Sequence, residues 1–332
     1  MSERPNSGFQ PSVSVIVTTY NRPEKCKRAL RSVQAQTYES LEVIVIEDGT
    51  ETDIKDWIES EFSSVEYIRH EENQGLAAAR NTGLDHATGE YVAYLDDDDE
   101  WKPGRVSVEV EALTSFPENK RKRVGVVYCG TENRTPDGET VSYGSPENDG
   151  NLANSIRKKG ASTLPSTFLF RKDALQSVGG FDESLPSSID HDIWMELATH
   201  GYHAVTVDKP LVITYVSPET AAMTSNTIPR IYGVKLFVEK WEPTYREWFG
   251  SEEGARYAEH YFADVITRLA TKNLQSRSLF EFGQSICAIF SVCTDTKYAI
   301  NAIFWRCVAP VAVSPLPDPL VEQLKKIRDK IQ

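Results

Sequence analysis

The feature that most constrains the fold is an apolar run that ends in four consecutive carboxylates. Residues 91–95 predict a buried β-strand, and Asp96, Asp97, Asp98 and Asp99 follow it without interruption. Four like charges this close together repel one another, which raises their pKa values and costs stability unless a cation or a donor cluster offsets it. Because Mg²⁺ typically binds one or two carboxylates together with substrate phosphates, the run predicts a metal and phosphate site at a strand end.

Two other predicted strands also end in polar or acidic residues. Residues 13–17 and residues 41–46 are apolar runs, and predicted helices alternate with them along the chain. This alternation predicts a parallel sheet covered by helices on both faces. Ligands of such sheets lie beyond the carboxyl ends of the strands. The strand-end residues expected to meet there are Thr18, Tyr20, Glu47, Asp48 and Asp96–Asp99.

The rest of the chain predicts further strands and helices. Asn21 is a plausible cap for a helix that opens at Pro23. The spacing of Cys26, Ala29, Leu30 and Val33 predicts one apolar face of this helix, packed on the sheet. Asp99 is expected at most to cap the helix that follows the aspartates. Residues 130–150 are predicted as a turn-rich excursion, and the chain from about residue 219 as mainly helical. The remaining predicted strands are 65–69, 124–129, 163–170, 203–207 and 211–216, and the remaining helices are 53–61, 76–84, 105–116, 172–178 and one that begins near residue 190.

Composition excludes some classes of function. The 332 residues carry a net charge of −13, which argues against nonspecific binding to nucleic acid. The five cysteines lack metal-site spacing and predict buried thiols in a reducing compartment. Residues 1–11 are polar, so no signal peptide is expected. No run reaches the roughly 18–20 apolar residues that a membrane span needs. The apolar segments 286–292 and 299–308 fit either a membrane interface or docking on the rest of the chain.

A second acidic cluster lies well beyond the first. The loop Gly179-Gly180-Phe181-Asp182-Glu183 leads into a predicted amphipathic helix that contains Asp190-His191-Asp192. In the simplest interpretation Asp190 caps the helix, and the negative charge of Asp192 interacts favourably with the positive N-terminal end of the helix dipole. In the functional interpretation one of the two carboxylates belongs to an active site. The residues alone leave both interpretations open.

Taken together, these motifs resemble family 2 glycosyltransferases. The resemblance covers about residues 12–217 and rests on five segments in the family's order and spacing. They are residues 13–23 (VSVIVTTYNRP), residues 47–50 (EDGT), residues 73–81 (NQGLAAARN), residues 95–103 (LDDDDEWKP), and residues 179–183 (GGFDE) followed by Asp190-His191-Asp192.

The resemblance implies an α/β fold of the GT-A type, with a Rossmann-like, mostly parallel central sheet flanked by helices. It implies a catalytic domain (12–217) with nucleotide-sugar-binding (12–116) and acceptor-binding (117–217) halves. Composition predicts a flexible N-terminus (1–11) before this domain and a helical C-terminal extension (218–332) after it, which fits membrane association or docking. The resemblance further implies a nucleotide-diphospho-sugar donor, in the first place a UDP-sugar, a Mn²⁺ or Mg²⁺ ion, and inversion at the anomeric carbon.

Site residues follow from the resemblance position by position. Thr18, Tyr20, Asp48 and Arg80 correspond to nucleotide contacts, with Asp97 near the ribose. Asp96 and Asp98 match the family's DXD motif, and Asp98 is the foremost metal ligand. Asp190 matches the catalytic base, with Asp192 as its supporter or the second choice. The sequence departs from the family's usual pattern at Glu47 and at Ile189, where an acidic pair is common.

The most specific hypothesis is transfer of a hexose or hexuronic acid to a hydroxyl of a growing glycan. That glycan would be linked to a lipid such as dolichol phosphate and used for protein or S-layer N-glycosylation. This hypothesis rests on the excess of acidic residues and the style of the motifs, which are similar to those of haloarchaeal enzymes that extend such glycans. The expected location is the cytoplasmic side of the cell membrane, as a peripheral protein. Alternatives are synthesis of a cell-surface polysaccharide or glycolipid, a nucleotidyltransferase, and a noncatalytic nucleotide-sugar-binding scaffold.

Overall fold

The computed structural model describes residues 9–49, 54–161, 164–216 and 227–308. The chain divides into two compact units. The first consists of Met1–Ser184 with Ile189–Thr220, and the second of Leu185–Ser188 with Ala221–Gln332. The predicted domain boundary after residue 217 lies outside the described residues.

The first unit is a sheet with helices on both faces. Its strands are β1 (Val13–Thr19), β2 (Leu41–Glu47), β3 (Val65–Arg69), β4 (Tyr91–Asp96), β5 (Glu100–Trp101), β6 (Val124–Arg134), β7 (Thr140–Gly144), β8 (Gly150–Asn151), β9 (Phe168–Arg171) and β10 (His203–Tyr215). Its helices are α1 (Pro23–Gln34), α2 (Lys55–Glu61), α3 (Leu76–His86), α4 (Arg105–Thr114), α5 (Glu118–Arg121), α6 (Leu152–Lys159), α7 (Lys172–Ser177) and α8 (Ile189–Thr199), and a 3₁₀ turn spans Pro165–Thr167.

The strand order is β3-β2-β1-β4-β9-β6-β10-β5, with β7 paired to β6 and β8 to β10. Strands β1 to β4 are parallel to one another, and β6 is parallel to β10. Strand β9 runs antiparallel between β4 and β6, so the two parallel groups point in the same direction. This arrangement confirms the predicted α/β fold.

Helices α1 and α3 bury the two faces of β1. The predicted apolar face of α1 is buried and belongs to the same core cluster as Val13, Val15 and Val17. On the opposite face Gly83 of α3 lies against Ile16, where an added Cβ would come within 2.4 Å of Ile16 Cγ2. These contacts hold the carboxyl ends of the central strands in place beneath the site.

Four local predictions were wrong in detail. Helix α1 opens at Pro23 as predicted, but its cap position is Arg22, and Asn21 has a φ of 55°. Helix α4 begins at Arg105, so Asp99 caps no helix. Much of the region predicted as a turn-rich excursion is a hairpin, because β6 continues to Arg134 and pairs with β7. The two predicted closing strands are one strand, β10, whose pairing with β6 shifts register on either side of Pro210.

The second unit is helical, as predicted. It contains α9 (Thr227–Phe249), α10 (Ser251–Gln275), α11 (Leu279–Val292) and α12 (Thr296–Ile303), followed by a π-helical turn (Phe304–Val308). Among the described residues, no helix combines the length and the apolar character that crossing a membrane would require. Each of the five cysteines is a free thiol; four are buried and Cys287 is exposed.

Candidate active site

The carboxyl ends of β1, β2 and β4 lie side by side, as the strand-end pattern predicted. Thr18 pairs with Asp96 across β1 and β4, and Thr19 pairs with Glu47 across β1 and β2. The backbone N–H of Asp48 donates to the carbonyl of Thr19 at 3.0 Å. The sheet register therefore brings the three polar strand ends to one edge. There Thr18 is buried, whereas Tyr20, just beyond β1, is 47% exposed.

Asp48 is held in one orientation by the chain that enters α3. Its Oδ1 accepts the backbone N–H of Gln74 at 2.8 Å, and its Oδ2 accepts that of Gly75 at 2.9 Å. The residue that follows Asp48 must be a glycine, because Gly49 has a φ of 67° and an added Cβ would lie 2.1 Å from the backbone of Glu72. Asp48 as a whole is 4% exposed, and the two backbone N–H groups fix the orientation of its carboxylate.

The sequence reasoning missed His70, which completes this cradle. Its Nδ1 lies 2.8 Å from Oδ1 of Asp48, and its Nε2 lies 3.0 Å from Oγ1 of Thr82. The ring is buried. His70 directly follows β3, so the strand-end rule applied to the neighbouring strands also points to it.

Asp97 lies beneath the surface of the aspartate turn. It accepts a hydrogen bond from Oγ1 of Thr19 at 2.8 Å and pairs with Nη1 of Arg22 at 3.1 Å. The pKa of Asp97 is raised to about 6, chiefly by burial and to a smaller extent by the charge of Asp98, while Arg22 and Thr19 oppose the shift. The cation and the donor partly offset the repulsion between these carboxylates.

Asp98 faces outward and is surrounded by basic residues at the cap and on the first turns of α1. Its Oδ2 lies 3.2 Å from Nη1 of Arg22 and 3.9 Å from Nζ of Lys25, and Nη2 of Arg28 donates to its backbone carbonyl at 3.0 Å. The sequence reasoning missed these three cations, although their spacing of three residues places them on one face of a helix.

The chemistry of the predicted metal ligands fits a hard divalent cation. The side chains of Asp96 and Asp98 are 26% and 32% exposed, so both can offer carboxylate oxygens to an incoming ligand. Within the described ranges no three His, Cys, Asp or Glu side chains converge as a metal cage. This donor set agrees with the manner of Mg²⁺ binding in which one or two carboxylates act together with substrate phosphates.

Asp99 is fully enclosed by the turn. Its backbone N–H donates to the carbonyl of Asp96 at 3.1 Å, which closes the turn. Burial and the charge of Asp96 raise the pKa of Asp99 well above its ordinary value. A hydrogen bond from Ser166 lowers the pKa but does not cancel this rise. Ser166 also accepts the backbone N–H of Asp96 at 3.2 Å and, through its carbonyl, the indole N–H of Trp101 at 2.9 Å. Asp99 and Ser166 therefore support the turn from below.

Arg80 joins the two acidic clusters. Its Nη2 lies 2.8 Å from Oδ1 of Asp96, and its Nη1 lies 2.5 Å from Oδ1 of Asp190. Asp190 occupies the first turn of α8, in which Asp192 is buried at 1% exposure while the side chain of Asp190 is 27% exposed. Of the two predicted base candidates, Asp190 is thus the one that is joined to the aspartate turn through Arg80 and whose side chain is partly exposed.

The sequence matches a known family over the region that forms this site. A profile described as "Glycosyl transferase family 2" matches residues 14–179, half of the chain. The chain belongs to glycosyl transferase family 2. The family indicated by the motifs is therefore confirmed, whereas the closer similarity to haloarchaeal enzymes of S-layer glycosylation stays a prediction.

Curated relatives match parts of the chain. An uncharacterized glycosyltransferase of Rickettsia felis is 30% identical over 208 residues, which cover 59% of this chain and 33% of the relative. The GalNAc(5)-diNAcBac-PP-undecaprenol beta-1,3-glucosyltransferase of Campylobacter jejuni is 39% identical over 101 residues, which cover 29% of this chain and 33% of the relative. The match spans about a third of the length of each of these two relatives.

Two solved structures share the fold. S. aureus TarS 1-349, solved in complex with UDP-GlcNAc, has a TM-score of 0.57 at 18% identity and covers 88% of this chain and 83% of its own. The mannosyltransferase PcManGT of Pyrobaculum calidifontis, solved with GDP-Man and Mn²⁺, has a TM-score of 0.55 at 21% identity and covers 91% and 89%. At these identities the likeness shows the fold.

Proposed function

We propose that this member of family 2 is an inverting glycosyltransferase. It transfers a hexose or hexuronic acid from a nucleoside diphosphate sugar, in the first place a UDP-sugar, to a hydroxyl group of a glycan. The observation that carries the proposal is the pairing of two partly exposed carboxylates, Asp96 at the strand end and Asp190 on α8, on one buried guanidinium. One carboxylate can face the donor while the other faces the acceptor.

Asp190 acts as the general base in this proposal. The attacking hydroxyl must lose its proton as it forms the new bond to the anomeric carbon, and a positioned carboxylate can accept that proton. Attack from the face opposite the leaving diphosphate, with no protein nucleophile, inverts the configuration. The partial exposure of Asp190, in contrast to the burial of Asp192, supports this choice.

The donor is held at the strand ends of β1, β2 and β4. Thr18, Tyr20 and Asp48 contact the nucleotide, and Asp97 lies near the ribose. Asp96 and Asp98 would hold a Mn²⁺ or Mg²⁺ ion, which when bound would stabilise the negative charge of the departing diphosphate. The complexes of the two fold neighbours with UDP-GlcNAc and with GDP-Man and Mn²⁺ support a nucleotide sugar and a divalent ion.

The acceptor in this proposal is a glycan carried on a lipid phosphate. The printed name of the C. jejuni relative describes a polyprenyl-linked acceptor, which supports this class of substrate. Use of the glycan in protein or S-layer N-glycosylation is the most specific form of the proposal. Mass spectrometry of lipid-linked and protein-linked glycans from a deletion strain tests it, since an unchanged set of glycans would contradict it.

The protein works at the cytoplasmic face of the cell membrane as a peripheral protein, in the same proposal. Free thiols agree with a reducing compartment. Helix α11 supports contact with a lipid surface, because Leu279, Phe280 and Phe290 are exposed on it. Apolar side chains on one side of a helix that does not span the membrane are typical of interfacial binding.

Replacing the base tests the catalytic assignment. In Asp190→Asn the carboxylate that accepts the proton is lost, so we expect transfer to fall by about 10²–10⁴-fold. Donor binding, measured by calorimetry, should stay within about threefold of wild type, because the loss affects the reacting step. Asp173→Asn is the matched control, since Asp173 is 74% exposed and lies outside the site. Near-normal transfer by Asp190→Asn would show that another group is the base.

A further inference from the structure

We infer that Arg80 is the positioning residue of the catalytic base: one guanidinium fixes Asp190 relative to the strand end that carries Asp96. The inference rests on the proposed function, in which Asp190 receives the proton of the acceptor. It assigns Arg80 a role different from the nucleotide contact that the family resemblance implies.

The geometry of the bridge is specific to a guanidinium. Separate nitrogens of Arg80 reach the two carboxylates, Nη1 to Asp190 at 2.5 Å and Nη2 to Asp96 at 2.8 Å. The side chain of Arg80 is 1% exposed, whereas about a quarter of each carboxylate side chain is exposed. Arg80 therefore contacts both carboxylates from a buried position, while both side chains remain partly exposed.

Aromatic rings fix the guanidinium in turn. Its central carbon lies 5.2 Å from the ring centroid of Phe181 and 5.9 Å from that of Tyr94. The two rings pack edge to face with centroids 5.2 Å apart. A charged fork packed against two rings has little freedom to change rotamer, so it can define the position of whatever it binds.

The residue next to Arg80 holds the loop that leads toward α8. The side-chain amide of Asn81 donates to the carbonyl of Phe181 at 2.8 Å and accepts the backbone N–H of Phe181 at 2.9 Å. Helix α3 thus fixes the base-bearing segment at two consecutive residues, through the side chain of Asp190 and through the backbone of Phe181. Both contacts join parts of the sequence that are about a hundred residues apart.

A guanidinium that is 1% exposed needs partners of opposite charge, and Asp96 and Asp190 supply them. A lysine at this position would present a single point of charge and could not span two carboxylates in the same way. The bridge therefore depends on the shape of the side chain as well as on its charge.

The same contacts argue against Arg80 as a direct phosphate ligand. Both terminal nitrogens take part in ion pairs, and Nε is buried without a hydrogen-bond partner among the described residues. Because the side chain of Arg80 is 1% exposed, its remaining N–H groups are not open to a phosphate in this arrangement. Positioning and phosphate binding predict different kinetics, because a positioning residue affects the reacting step and a phosphate ligand affects donor affinity.

Arg80→Lys separates the two roles. Because displacement of a reacting group by about 1 Å can cost about 10²-fold, we expect kcat to fall by about that factor. The KM for the donor and the calorimetric Kd for the free nucleoside diphosphate should stay within about threefold of wild type. Arg121→Lys is the matched control, because Arg121 is also buried and its guanidinium packs on Phe9, which precedes the amino end of β1. It should lower the melting temperature and leave kcat unchanged.

Two outcomes would overturn the inference. The first is an unchanged kcat in Arg80→Lys, and the second is a donor KM that rises in proportion to the loss of transfer, which would make Arg80 a donor contact. If thermal melting shows that Arg80→Lys does not fold, the same kinetic and binding measurements are made on Arg80→Gln. A wild-type protein that binds no nucleoside diphosphate sugar would contradict the proposed function, whereas an active wild type with an equally active Arg80→Lys would contradict this inference alone.

Discussion

At the scale of single residues, four identical side chains in a row acquire different environments. Asp97 and Asp99 are buried at 4% and 6% exposure, whereas Asp96 and Asp98 keep about a quarter and a third of their side chains accessible. The turn closed between Asp96 and Asp99 points alternate carboxylates inward and outward. Only the outward pair can offer oxygens to a metal ion, and these are the two positions of the DXD motif.

His70 provides a test of the cradle around Asp48. In His70→Ala, Asp48 loses a buried partner at 2.8 Å. We expect the free energy of unfolding to fall by about 1–3 kcal/mol, the usual cost of leaving a buried polar group without its partner. Affinity for the nucleoside diphosphate should fall as well, because Asp48 is the proposed nucleotide contact. Chemical denaturation and calorimetry measure the two effects.

The control for this prediction is His86→Ala. His86 also pairs with a carboxylate, that of Glu66, but both side chains are 46% exposed. Exposed pairs contribute little to stability, so neither stability nor nucleotide affinity should change appreciably. If His70→Ala behaved like His86→Ala, Asp48 would not depend on His70 for its placement.

At the scale of elements, α4 carries an arginine and a glutamate that are in contact and fully buried. Arg105 and Glu109 lie one turn apart, 3.2 Å from each other, and both are 0% exposed. The guanidinium also lies 3.9 Å from the ring centroid of Trp101, on the strand that follows the aspartates. Burial raises the pKa of Glu109 to about 7, and Arg105 opposes this shift.

The shifted pKa makes stability depend on pH in a defined direction. The folded chain holds the proton of Glu109 up to about pH 7, whereas the unfolded chain releases it near its ordinary pKa of 4.5. The free energy of unfolding therefore falls as pH rises through this window, by a contribution on the order of 1–3 kcal/mol. Glu109→Gln cannot titrate, so we expect its stability relative to wild type to rise between pH 5 and pH 8.

Thermal melts of both proteins at several pH values measure this difference. Glu118→Gln is the control, because Glu118 is 72% exposed and pairs with Lys122 across one turn. A constant difference between Glu109→Gln and wild type across the window would show that Glu109 has the same pKa in the folded and unfolded chains.

At the scale of the whole molecule, charge is divided unevenly along the sequence. Residues 1–220 contain 22 Lys and Arg against 37 Asp and Glu, whereas residues 221–332 contain 14 against 12. The strongly acidic part contains the candidate active site, and the nearly neutral part contains the exposed apolar side chains of α11. An anionic lipid surface would repel the first part and tolerate the second.

Membrane contact is tested on the intact chain. We expect the triple variant Leu279→Ser, Phe280→Ser, Phe290→Ser to lose binding in flotation assays with vesicles of mixed neutral and anionic lipids, because the apolar area available for insertion is removed. The control is Ile228→Ser with Tyr232→Ser, which removes exposed apolar side chains from α9. Equal flotation of the wild type and the triple variant would contradict membrane contact through α11.

Apolar periodicity and strand-end chemistry are local properties, and they predicted the central elements well. The apolar runs and their polar ends indicated β1, β2 and β4, and the helical spacing of Cys26, Ala29, Leu30 and Val33 indicated the buried face of α1. The motifs indicated the family, and the family profile confirmed it. The predicted roles of individual site residues stay predictions, although the sheet brings Thr18, Asp48 and Asp96 to one edge.

Pairings between distant parts of the chain were decided by the tertiary structure. No local pattern distinguishes the buried from the accessible aspartates, because that difference depends on Thr19, Arg22 and Ser166. The antiparallel insertion of β9 between β4 and β6 joins strands that lie far apart in the sequence. Arg80 bridges Asp96 and Asp190, and Arg80 and Asp190 are 110 residues apart in the sequence. Local propensity carries no information about such contacts, since they exist only once the sheet and the helices have packed.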